Sequence, residues 1–122
     1  MIRPAAILTL ALLCGCTKSE DEFLIKVEGA PAENAVLYLD DNGGLELPPV
    51  EGGFRGTREI RRDSSGVIIV YFRGRPPVVC HVGYTTNGLP QVWRFQIGAA
   101  HEYCHEVDKG AVVSHDRAQA KR

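Results

Sequence analysis

The chain has 122 residues, 44% of them hydrophobic and 24% charged, with a formal net charge of −1 at pH 7. That balance excludes a disordered polyampholyte, a multi-span membrane protein and a strongly basic nucleic-acid binder, and the length accommodates one substantial domain. Thirteen glycines and seven prolines are many for this length and imply frequent turns between short elements.

Met1-Ile2-Arg3 is a short positive opening, and Ala5 to Leu13 follows as nine uncharged, mostly apolar residues. Nine residues fall far short of the ~20 that a membrane-crossing helix needs. They match the roughly 7–15-residue apolar region of a secretory signal peptide, and a polar, acidic run from Thr17 to Glu22 follows at once. The chain reads as exported.

Leu13-Cys14-Gly15-Cys16 resembles the bacterial lipobox, with an aliphatic residue at −3, a small one at −1 and cysteine at +1. The resemblance covers about the first sixteen residues. It implies a lipoprotein signal peptide over 1–15 and a Cys16 that carries a diacylglyceryl thioether and usually an acylated amine, palmitate among the chains. Residues 16–22 then form the lipidated cysteine and a tether, and the membrane is the first partner. Two or more buried acyl chains hold firmly where one holds marginally. Cys14 at −2 departs from the usual Ala, Ser or Thr, and ordinary signal-peptidase cleavage near Cys16-Thr17 is the competing reading. Thr17 in place of Asp at +2 implies the outer membrane, facing the periplasm, in a Gram-negative host. Cleavage before Cys16 leaves 107 residues with a net charge of −2, which offers no electrostatic case for nucleic acid.

The body reads as strands. Phe23–Val27 is a short apolar run, and Ala35–Leu39 is a second that stops at the turn cluster Asp40-Asp41-Asn42-Gly43-Gly44. Leu45-Glu46-Leu47 ends at Pro48-Pro49, which cannot donate to a central ladder. Phe54–Ile60 alternates, and Ser64-Ser65-Gly66 is a turn. Val67–Phe72 is uninterrupted and β-branched, the pattern of a central strand buried on both faces. Val78–Tyr84 is followed by Asn87-Gly88, the best hairpin signal in the chain, and by the alternating Val92–Ile97 and a last strand around Tyr103–Val107. No 3.6-residue periodicity persists after the leader. Seven or eight short, mainly antiparallel strands predict an all-β domain over 23–113, a small β-sandwich of immunoglobulin-like or transthyretin-like look, with a small barrel as runner-up. The tail 114–122 is polar.

Cys80 and Cys104 are the two cysteines left after export and lipidation, and in an oxidising compartment they predict one disulfide. A tight hairpin at Asn87-Gly88 sets Cys80 opposite Phe95 instead. The bridge therefore requires a longer loop, a bulge near Gly98-Ala99-Ala100, or a link between two sheets.

Three histidines crowd these cysteines, in Cys80-His81 and His101-Glu102-Tyr103-Cys104-His105. His81, His101 and His105 offer a zinc or copper site as an alternative, with His101 and His105 at a spacing that shares a strand face. Adjacent strand residues point to opposite faces, so neither Cys-His pair shares one metal easily, and an oxidised cysteine pair supplies no thiolate. The domain is expected to need no cofactor.

Charge is unevenly placed: residues 16–53 hold nine acids and two lysines, whereas 54–94 hold seven arginines against Glu59 and Asp63. Arg55, Arg58, Arg61 and Arg62, with Arg73 and Arg75, suggest a face for an anion or an acidic partner, since the guanidinium fork binds carboxylate and phosphate. Acidic and basic strands lying side by side explain the same residues. Tyr84 and Trp93 flank the hairpin as a contact patch or as core. No Gly-x-Ser-x-Gly, phosphate loop or His-Glu-x-x-His occurs, and Asp40-Asp41 is turn chemistry. The sequence thus reads as a lipid-anchored, non-enzymatic binding, adaptor or inhibitor module with an envelope protein as partner.

Overall fold

The computed structural model describes residues 20–40 and 43–107. The leader, Cys16, Asp41-Asn42 and the tail lie outside these. Nine strands form two sheets: β1 (Glu20–Val27), β2 (Asn34–Leu39), β3 (Leu45–Glu46), β4 (Pro49–Val50), β5 (Gly53–Glu59), β6 (Ser64–Phe72), β7 (Arg75–Thr85), β8 (Val92–Ile97) and β9 (Cys104–Glu106). One sheet has the order β4-β5-β1-β8-β9 and the other β3-β2-β6-β7. They face each other as a small β-sandwich rather than closing into a barrel.

Alternation builds the core. Phe23, Ile25 and Val27 of β1, Phe54 of β5, and Trp93, Phe95 and Ile97 of β8 turn inward from the five-stranded sheet. Ala35, Leu37 and Leu39, then Ile68, Val70 and Phe72, then Val78, Cys80 and Val82 meet them from the four-stranded sheet. β6 is central, but its second face is only half-buried: Val67, Ile69 and Tyr71 look outward, so the expectation of burial on both faces is corrected. β7 tolerates Pro76 and Pro77 because it is an edge strand.

Several boundaries move: β6 begins at Ser64, where a turn was expected, and β7 at Arg75 rather than Val78. β1 begins at Glu20 and pairs Glu20, Asp21 and Glu22 with Glu59, Arg58 and Thr57, so the second half of the expected tether belongs to the domain. Asn87-Gly88 does make a tight turn, with Gly88 at φ 87° and Leu89 N–H donating to Thr86 O at 3.1 Å. The turn, however, is closed by a single bridge and its arms part into different sheets. Two interactions draw β8 away: Glu22 N–H donates to Gln91 O at 3.0 Å, and the Asp21 carboxylate accepts Gln91 N–H at 3.1 Å. Pro90, with no N–H, cannot extend a hairpin ladder. β8 therefore pairs in parallel with β1, from Glu22 opposite Val92 to Val27 opposite Ile97.

That switch resolves the cysteine geometry. Cys80 on β7 and Cys104 on β9 lie on the same flank of the two sheets, with Cα atoms 5.2 Å apart, and are joined by a disulfide. Of the arrangements open to the sequence, the link between sheets is the one adopted. On the opposite flank the main chain itself crosses over, from β3 through buried Leu47 to β4.

Two outcomes follow for stability. The double variant Cys80→Ala/Cys104→Ala is expected to lose about 3–4 kcal/mol, the chain-entropy value for a loop of this length. Urea unfolding reads the loss, and an unchanged midpoint would show that the bridge contributes nothing. In Gly66→Ala the new Cβ would stand 1.9 Å from Tyr38 O, which forces β2 and β6 apart. A loss of at least ~1–3 kcal/mol in the same assay is expected.

Candidate functional site

The outer face of the five-stranded sheet is the most developed surface. With Phe23, Ile25 and Val27 committed to the core, β1 turns Glu22, Leu24 and Lys26 to solvent. β8 likewise presents Val92, Arg94 and Gln96, and β5 presents Arg55 and Thr57. Register sets Arg55, Leu24 and Arg94 in one row across three strands, and Lys26, Gln96 and His105 in the next. Leu24 is thus a half-buried apolar floor between two arginines. Val50 closes one end, and Val107, whose N–H donates to Arg94 O at 2.7 Å, closes the other. The resulting open groove holds about 450 Å3, within the range of ligand-sized clefts.

Its charges are unequally satisfied. Arg55 Nε donates to Glu22 at 2.6 Å, and the Gln96 amide donates to the Glu28 carboxylate. Lys26 and Arg94 make no ion pair or side-chain hydrogen bond among the described residues. They are diagonal neighbours across the β1–β8 pair, so two like charges face solvent together beside Leu24.

The arginines singled out by sequence do not share one face. Alternation along β5 puts Arg55 on the outer groove and Arg58 on the opposite side, opposite Asp21 in register. Arg58 and Arg61 line a separate hollow of about 500 Å3 with Thr57 and Glu59, beneath Gly43-Gly44. Arg61 lies 3.6 Å from Glu59, and Arg73 lies 3.2 Å from Glu33. Arg62 lies beyond the end of β5. Arg75 donates to Ala100 O at 2.9 Å and ties the two sheets together at that end. Much of the acidic and basic asymmetry is thus acid and base standing side by side.

The histidines do not converge either, which corrects the shared face expected for His101 and His105. His101 lies in the β8–β9 loop at φ 55°, buried, stacked on Phe72 at 4.1 Å and bonded through Nε2 to Glu28 O at 2.8 Å. It plugs the end of the sandwich between sheets. His105 points outward from the five-stranded sheet beside Tyr103, and His81 outward from the four-stranded one. Among the described residues no three His, Cys, Asp or Glu side chains are grouped as metal ligands. Trp93 is core, 1% exposed, whereas Tyr84 is exposed, so the two do not form one patch.

Sequence reading passed over Asp21. Its carboxylate is fully buried and accepts Trp93 Nε1–H at 3.0 Å as well as the Gln91 N–H. Burial raises its pKa above the ordinary 3.8, and the two hydrogen bonds oppose the rise without cancelling it. It also missed the groove. Lys26 and Arg94 are 68 positions apart, and no local pattern announces the parallel pairing that joins them.

Comparison with protein-family models, curated proteins and solved structures finds no match to this chain.

The raised pKa of Asp21 fixes a pH dependence. The folded state holds this proton where the unfolded chain has already released it, so the contribution of Asp21 to stability falls as pH rises from about 4 through its folded pKa. Unfolding curves of the wild type measured against Asp21→Asn are expected to show that decline. A difference independent of pH would show that Asp21 titrates alike in both states.

Proposed function

We propose that the chain is a lipid-anchored envelope protein whose β-sandwich is a non-catalytic binding module. The observation that carries this reading is the Cys80–Cys104 bridge between the sheets. Such disulfides persist in exported proteins and are rare where thiols are kept reduced. It agrees with the lipobox-like Leu13-Cys14-Gly15-Cys16, and both point to an oxidising compartment outside the cytoplasmic membrane.

The anchor and the domain are closely coupled. Three residues, Thr17 to Ser19, separate Cys16 from the first residue of β1. A fully extended chain spans at most ~3.3–3.6 Å per residue, so a lipid on Cys16 keeps the start of β1 within roughly 15 Å of its attachment. The domain is then held at the bilayer surface with one end toward the lipid. The separated histidines and the structural use of His101 favour binding over a metal centre built from His81, His101 and His105. The groove over Leu24 is the surface best formed for a partner.

Replacing Cys16 tests the anchor. A Cys16→Ala chain is expected to leave the membrane fraction, while the wild type remains there with the added mass of its acyl chains. Unchanged fractionation with membranes would overturn the lipoprotein reading.

A further inference from the structure

We infer that the groove on the outer face of the five-stranded sheet receives an acidic peptide segment of a partner protein, one that sets a carboxylate beside an apolar side chain. The inference rests on the binding-module reading above and names the surface and the chemistry it selects. Leu24 supplies a half-buried apolar floor at the centre of the row Arg55-Leu24-Arg94. Arg55 is already neutralised by Glu22, whereas Arg94 and Lys26, on diagonal positions, make no ion pair among the described residues. A carboxylate placed between them relieves their repulsion and gains a charge-assisted hydrogen bond, preferably from the arginine fork.

The groove also has a direction. Glu51 lines it beside Val50 at the β4–β5 turn, so an incoming acid is disfavoured at that end and favoured at the end lined by Arg94 and Val107. Apolar contact with Val50 and Leu24 then falls on one side of the carboxylate. An extended peptide, whose successive side chains point to opposite faces, meets these requirements with an acidic and an apolar residue two positions apart on a strand laid obliquely over the sheet.

The half-buried Leu24 beside the cations favours an amphipathic peptide over a bare anionic headgroup. Leu24 and Lys26 are four and six residues beyond Glu20, roughly 13–20 Å along β1 at ~3.3 Å per residue.

The test uses the chain as purified from cells and a fluorescein-labelled, capped hexapeptide that carries glutamate and leucine in turn at every second position with serine between them, with its lysine–leucine counterpart as control. Fluorescence anisotropy is expected to show binding of the acidic peptide, weakened by salt and about tenfold by Arg94→Glu or Lys26→Glu. Both substitutions are solvent-facing, and an unchanged denaturation midpoint certifies their fold. Arg61→Glu, outside the groove, is expected to leave binding unaltered. Equal binding of the two peptides, indifference to both reversals, or an equal loss with Arg61→Glu overturns the proposal. Phosphatidylglycerol vesicles that displace the peptide and lose binding on the same reversals overturn it in favour of a lipid surface. Fractionation of the same cells reads the anchor separately. A failed groove with an intact anchor leaves the envelope reading standing, and a lost anchor leaves the peptide result unaffected.

Discussion

The bridge between Cys80 and Cys104 is the constraint on which this sandwich depends. Two sheets packed face to face can separate at either flank. One flank is shut by the backbone itself, where the chain passes from β3 through Leu47 into β4. The other joins a long edge strand to β9, three residues long and paired only with Phe95, Gln96 and Ile97 of β8. A strand so short has little pairing energy of its own, and the disulfide holds it in register. Through β9 it also holds the β8–β9 loop, and with it the His101 ring stacked on Phe72 and the Ala100 carbonyl bound by Arg75. Cys80, Cys104 and His101, three of the side chains that resembled metal ligands in sequence, thus belong to the closure of the fold.

Asp21 plays the complementary role at the opposite end. A carboxylate in a core is costly unless its oxygens are satisfied, and here one accepts a main-chain N–H of β8's approach and the other the indole of Trp93. Both bonds tie β8 to β1. The groove exists only because of that pairing, since it brings Arg94 beside Leu24 and Lys26. A buried polar pair thereby sets the placement of an exposed charged one.

Much of this was legible before the structure. Apolar runs marked β1 and β2, alternation marked the inward residues of β8, turn residues marked the breaks, and the spare cysteines marked the bridge. What escaped was non-local. Asn87-Gly88 formed its turn as its residues demand, yet the strands beyond it chose partners in separate sheets, a choice made by Asp21 and Glu22 some seventy positions away. The acidic run 20–22 looked like tether because charge hides strand propensity, and only its pairing with β5 shows otherwise. The arginines were counted as a cluster along the chain, but a strand divides its neighbours between two faces, so Arg55 and Arg58 never meet.

The parallel seam between β1 and β8 bears on how the molecule assembles in time. The strand that leads the domain is an interior member of its sheet, and its partner on one side is the eighth strand, about seventy residues later. Pairings of such sequence separation are slow to form, because a long loop must close before any contact rewards it. A chain emerging N-terminus first cannot complete its five-stranded sheet until Glu106 has followed. One edge of β1 therefore waits for its partner until β8 has arrived, although the other edge can pair with β5 much earlier.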